Sequence, residues 1–199
     1  ILHDYCISEL FMNNSNPNYS LDSSYVYLLK CWRKFIKNDI EQFDYDEQKR
    51  LCEKHNICLN KIPFKINSIA WKMFYAIKAE KNITKLLSFK EKLDFDRVDV
   101  KKAVDEEIEL LEYKKVSESS NIIDYRKYLA KYPFTKYKDY LFFRIETLSY
   151  KKINTLEDCY LFLKEFPKSK NKVEILQKIE EFTFNEIINS KSIDNCYDF

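Results

Sequence analysis

The chain of 199 residues contains no glycine, and this absence limits its possible folds more than any other feature. Glycine reaches positive φ without steric cost and lets a backbone approach a phosphate closely. A chain without it has no phosphate-binding loop, no dinucleotide fingerprint and no G-x-S-x-G nucleophile elbow. Tight Asn-Gly hairpins are also excluded, which argues against antiparallel β structure. Helix remains. Apolar residues make up 45% of the chain, enough for a continuous core, and they recur at helical spacing.

That spacing is written twice. Residues 128–133 read YLAKYP and residues 162–167 read FLKEFP, 34 positions later. Around them, Ile122, Tyr125, Leu129 and Tyr132 form one stripe; Leu156, Cys159 or Tyr160, Leu163 and Phe166 form the other. Each short helix is expected to stop at Pro133 or Pro167, because proline lacks an N–H and disfavours helix in the residue before it. Longer helices follow, striped by Tyr137, Leu141, Ile145, Leu148 and Lys152, and by Val173, Leu176, Ile179, Phe182 and Glu186. Thr135 and Ser169 stand where N-caps are wanted. Polar breaks are expected near Asn154–Thr155 and Asn189–Ser192. SIDNCYDF at 192–199 then echoes TLEDCYLF at 155–162.

Two earlier copies follow from the same period. Ile66, Ile69, Ala70, Met73, Phe74 and Ile77 form a stripe leading into NITKLLSF at 82–89. Val100, Ala103, Val104, Ile108 and Leu111 form another, capped by Asp96 or Asp99 and leading into the helix at 122–132. The expected units are 66–93, 99–133, 136–167 and 170–199, the last incomplete, with a period of 34 to 39 residues that marks a helical repeat. An isolated helix below about 12–15 residues is marginal in water, so Cys196, Tyr197 and Phe199 are expected to dock on the 170–189 helix, on further chain or on another molecule. This unfinished unit and the lack of an initiator Met raise the expectation of a longer natural chain.

Residues 1–65 fit the period poorly and read as a helical N-terminal cap or the edge of a neighbouring domain. Ser24–Lys37 is expected to be an amphipathic helix with Val26, Leu29, Trp32, Phe35 and Ile36 on one side, Asp46–His55 a shorter helix, and 13–21 a loop. Pro63 starts the link into the repeats.

The residues at 66–199 resemble tetratricopeptide-like repeats, in the divergent form whose units end in a phrase like FL..YP.S. The likeness rests on the period, on Pro133 and Pro167, and on Thr135 and Ser169. This chain departs from the family's small residues at helix contacts by placing Phe142 and Phe143 there. The resemblance implies an all-α fold, a right-handed α-solenoid of antiparallel helix pairs whose first helices line a partner-binding face. Carried over by position, that face holds Glu106, Tyr140, Arg144, Glu174 and Lys178.

Other chemistry is thinly supplied. Cys52, His55 and Cys58 suggest metal ligands, but on one helix the outer pair lie about 9 Å apart along the axis and about 120° apart in direction. They converge on one ion only if the helix ends near His55, and a fourth ligand would have to come from His3, Cys6 or Cys31. DFDRVD at 94–99 lacks the turn glycine and the third oxygen of a calcium loop, and reads as a loop ending in a capping Asp. With two histidines and no nucleophile motif beside either, no catalytic residues, metal or cofactor are expected, and the chain is not read as an enzyme. The six cysteines are loosely spaced and read as free thiols. Asn13, Asn18 and Asn82 open N-x-[ST] triplets, read as unmodified exposed residues.

Fifteen Tyr and fifteen Phe exceed what the stripes need. Tyr140, Phe142, Tyr150 and Tyr160 are candidate interface anchors. KKVSESSN and FPKSKNK read as solvated loop ends. A net charge of +2 makes nucleic acid an unlikely partner. No run of 18 apolar residues exists, so no membrane span is expected and a membrane is not counted among the partners. The thiols and the absence of a leader at the start make cytoplasm the default compartment. The reading that follows is a non-catalytic scaffold for a protein or peptide. Its alternatives are a regulatory or substrate-recruiting segment of a larger enzyme and a helical-repeat nucleic-acid binder.

Overall fold

The structure, a computed structural model, describes residues 1–37, 42–58, 61–93 and 97–190. Among these residues it is all helical: α1 Leu2–Met12, α2 Leu21–Lys37, α3 Gln42–Lys54, α4 Ile62–Ala79, α5 Ile83–Lys92, α6 Val98–Ser117, α7 Ile122–Lys131, α8 Lys138–Lys151, α9 Leu156–Glu165 and α10 Lys172–Ser190. The chain forms two compact units, Ile1–Leu111 and Glu112–Phe199, and the division falls within α6.

In the first unit one core joins α1–α6. Ile66, Ile69, Ala70, Met73 and Phe74 of α4 meet Leu86 and Phe89 of α5 and Val100, Val104 and Ile108 of α6. Residues before α4 share this core through Tyr25, Leu28, Leu29, Cys31 and Cys52. On α2 the buried stripe is therefore Tyr25, Leu28 and Leu29, with Trp32 half-buried. Val26, expected on that side, is 41% exposed, because it lies one helical step off the line from residue 25 through 28 and 29 to 32. The side chains of Phe35 and Ile36, and residues 94–96, 191 and 192–199 with their expected cap, loop and docking roles, lie outside the described residues.

Buried carboxylates in this unit have cationic partners. Asp4 accepts from Lys34 Nζ at 2.7 Å, and Glu107 pairs with Lys78 Nζ at 2.6 Å. Burial alone would raise the Asp4 carboxyl, but the bond and charge of Lys34, helped by His3, outweigh it and hold the group below its ordinary value. Lys65 bonds both Glu9 and Tyr5. Burial pushes its ammonium down, and these bonds more than reverse the effect.

The second unit has two linked clusters. Tyr125 and Tyr128 of α7 pack with Leu141 and Ile145 of α8. Ile153, and Cys159 and Phe162 of α9, pack with Ile175 of α10. Phe166 touches both. On α9 the choice left open between Cys159 and Tyr160 falls to Cys159, which is fully buried while Tyr160 is exposed. On α10 the inner line is Ile175, Ile179 and Phe182. Val173 and Leu176, expected there, are exposed.

The turns of this unit use the same bonds 34 positions apart. Tyr132 N–H donates to Tyr128 C=O and Phe166 N–H to Phe162 C=O, both at 2.8 Å. Tyr137 N–H donates to Thr135 Oγ1 at 3.3 Å, and Asn171 N–H to Ser169 Oγ at 3.1 Å. Tyr132 and Phe166 have nearly equal backbone angles, φ/ψ −124/71 and −122/64. Thr135 and Ser169 thus close the turns two residues before the caps rather than serving as N-caps: the N-cap of α8 is Tyr137, and α10 begins at Lys172. The helices end at Lys131 and Glu165, two residues short of each proline, as the restriction on the residue before proline favours.

The short helices α5, α7 and α9 are each ten residues long. Asn82, Asn121 and Thr155 cap them, with side-chain oxygens accepting from Lys85, Ile123 and Asp158 N–H. Thr155 and Asp158 complete a capping box. In each, the fourth residue (Leu86, Tyr125, Cys159) is fully buried and the seventh (Phe89, Tyr128, Phe162) nearly so.

Among the described residues two positions take a left-handed backbone, and without glycine they fall to Asn56 at φ 56° and Lys81 at φ 52°. Asn tolerates this region; Lys, with its Cβ crowding the carbonyl, does so at a cost of about 1–2 kcal/mol. Lys81 follows α4 at the position where helices most often place glycine. Lys81→Gly is expected to raise the unfolding free energy by about 1 kcal/mol in urea denaturation. Leu141→Ala, at a site 0% exposed, is expected to lower it by about 2–5 kcal/mol.

Candidate functional site

The five sequence-assigned face residues fall in both units. Glu106 is exposed on α6 in the first unit, beside the buried Glu107. Tyr140 and Arg144 stand one turn apart on α8, and Glu174 and Lys178 one turn apart on α10. Tyr140 and Glu174 are 34 positions apart, as are Arg144 and Lys178.

The structure brings Glu174 and Lys178 together through Tyr150, at the end of α8. The Tyr150 hydroxyl donates to Glu174 Oε2, and Lys178 Nζ sits 5.1 Å from the Tyr150 ring centroid. The bond to Glu174, with some burial, holds the phenol above its ordinary value. Tyr150 also packs edge-on against Phe162 at 6.0 Å, so this polar trio is seated on the α9–α10 cluster. Sequence reading singled out Tyr150 as a surplus aromatic but not as the residue that organises the α10 pair. Its position at the end of the long helix was the available signal.

Tyr140 belongs to a separate aromatic group. Tyr113 and Tyr137 stack at 3.6 Å between centroids with 6° between their planes, and Tyr140 meets Tyr113 edge-on at 6.2 Å. Tyr140 keeps 44% of its surface exposed, which leaves its outer face for contact. Arg144 is half-buried and directed at the Tyr125 hydroxyl, whose proximity raises the guanidinium further above its already high value. Tyr125 in turn donates to Ser119 C=O in the loop before α7. Arg144 therefore lies near the α7–α8 contact rather than on a free outer face. Beyond these residues, Phe143 on α8, Tyr160 and Leu161 on α9 and Val173 and Leu176 on α10 are exposed.

Among the described residues no three of His, Cys, Asp and Glu gather as metal ligands. The α3 helix ends at Lys54, so His55 does fall outside it, yet Cys52 is buried while Cys58 is exposed. A shallow apolar depression between Met73, Ile77 and Phe89 is rimmed by Asp22, Lys85 and Lys92. Its cations are already paired, Lys92 with Asp22 at 2.9 Å and Lys85 with Glu80. No helix among the described residues is long and apolar enough to cross a membrane.

Compared with protein-family models, curated proteins and solved structures, the chain shows no match.

Cys6, Cys31, Cys52, Cys58 and Cys159 are free thiols. Burial pushes Cys31 up to about 12 and raises Cys52 and Cys159 as well. Since the thiolate is the reactive form, alkylation near pH 8 followed by peptide mapping is expected to label Cys6 and Cys58 quickly. Cys31, Cys52 and Cys159 are expected to react only after denaturant is added. Comparable rates at Cys31 and Cys58 would contradict this placement.

Proposed function

We propose that the chain is a non-catalytic interaction module, a right-handed superhelix of antiparallel, tetratricopeptide-like helix pairs that holds a protein or peptide partner. The observation that carries this reading is the recurrence in the second unit: the same turn bonds, the same terminal angles and the same buried positions return 34 residues later. A hairpin that cannot cover its own apolar stripe is stable when it stacks on a similar one, and a stack of equivalent hairpins presents equivalent helix faces side by side. Tyr140, Glu174 and Lys178 lie on such faces. The Tyr150 contacts fix the α10 pair before any partner arrives, so little side-chain freedom is lost on binding.

The face is tested by selecting peptides from a displayed random library on the purified chain and titrating the enriched sequences. Tyr140→Ala combined with Lys178→Glu is the informative variant, because Arg144 is half-buried and its replacement would also disturb packing. Affinity is expected to fall by about tenfold or more, while Glu118→Lys, at an exposed position in the loop before α7, leaves it unchanged. Equal binding by the double variant would remove this face, and failure to enrich any sequence over a scrambled library would count against the scaffold reading.

A further inference from the structure

The two turns of the second unit form a cationic edge with an aromatic tip. The first, between α7 and α8, runs Tyr132-Pro133-Phe134-Thr135-Lys136-Tyr137 into Lys138; the second, between α9 and α10, runs Phe166-Pro167-Lys168-Ser169-Lys170-Asn171 into Lys172. Phe166, which opens the second turn, packs against the cluster of Tyr128 and Leu141 that flanks the first. The two turns therefore share one edge of the unit.

Charge on this edge is uncompensated. Lys136, Lys138, Lys168, Lys170 and Lys172 are all exposed. Some lysines elsewhere are neutralised, such as Lys131 by Glu112 and Lys90 by Asp105, each at 2.6 Å, and others face solvent; what marks this edge is that five gather on it. Among the described residues these five have no carboxylate partner; Lys136 and Lys138 lean over the Tyr137 and Phe142 rings. Asp139 is the one acidic residue between 132 and 139, and there is none between 166 and 173. At the tip of the first turn Phe134 is 98% exposed, more than any other large apolar side chain described.

We propose that this edge docks on the surface of an anionic lipid bilayer, with Phe134 entering the interface and the five lysines facing the headgroups. Three features favour a bilayer over other polyanions. Phe134 has no wall around it, so a peptide anchor would find no pocket there, whereas a soft interface receives a protruding ring. A planar surface needs positive charge on one edge only, which a chain of net charge +2 can supply; a nucleic-acid binder is expected to be basic over a wider field. Lysine stems suit the headgroup level, with apolar bodies and polar ends. A surface contact of this kind needs no spanning segment, and no helix among the described residues could supply one; in it FPKSKNK would be part of the contact surface.

The test is co-sedimentation of the chain with phosphatidylcholine vesicles, with and without phosphatidylserine. Binding is expected only to the phosphatidylserine vesicles, and is expected to weaken as salt rises. Lys168→Glu with Lys170→Glu should weaken it by more than about tenfold, since each lysine near such a surface contributes several-fold. Phe134→Trp should add a blue-shifted emission on binding, over the unchanged signal of Trp32 and Trp71. Circular dichroism melts of both variants should match the parent, since the altered side chains are exposed. No sedimentation with phosphatidylserine vesicles, equal sedimentation with phosphatidylcholine alone, an unaffected double variant, or tighter binding to a single-stranded polythymidylate would each overturn the proposal.

Discussion

A ten-residue helix does not hold itself together in water, and this chain depends on three of them, α5, α7 and α9. Each is fixed at its start by a side-chain cap and along its length by two buried residues, the fourth and the seventh. In α7 both are tyrosines, and their hydroxyls reach the flanking loops: Tyr125 bonds Ser119, and Tyr128 lies 3.4 Å from Thr135 Oγ1. In α9 the pair is Cys159 and Phe162, which needs no polar outlet. A small thiol and a ring thus replace two rings at the same places. Tyr150 packs edge-on against Phe162 in this second pair.

Lysine takes over tasks that other chains give to glycine or to apolar packing. It accepts the strained left-handed position after α4 at Lys81. It covers buried carboxylates at Asp4 and Glu107, where removing one partner leaves a charge in poor solvent. It also crosses between helices at the surface, as Lys90 does to Asp105. Surface pairs of this kind contribute little each. The turns after α7 and α9 stand apart because five solvent-facing lysines gather there with Asp139 as the one acidic residue among them.

Much of the helical layout was legible because the stripes of α4, α6 and α8 are narrow and regular. Ile66 through Phe74, Val100 through Ile108, and Leu141 with Ile145 all lie where the spacing places them. Legibility failed where a helix is apolar on more than one side. On α10, Val173 and Leu176 competed with Ile175 for the inner line, and only contact with α9 decides between them. On α2 the same ambiguity promoted Val26 over Tyr25. The helix α1 went unassigned because its apolar and polar residues mix without a clear face. At the candidate site, exposure of Tyr140 could be anticipated from position. The dependence of Glu174 and Lys178 on Tyr150, and of Arg144 on Tyr125, joins residues from different helices and leaves no mark in local spacing.

The proposal of stacked, equivalent hairpins is tested most directly by excising residues 138–171, one period of 34, so that Tyr137 runs directly into Lys172. If the units are equivalent, Ile175 and Ile179 take the places of Leu141 and Ile145 against Tyr125 and Tyr128. The shortened chain then retains helix in proportion to its length and unfolds in urea as one cooperative transition, while excision of half that length does not. Loss of cooperative unfolding in both shortened chains alike would contradict the account.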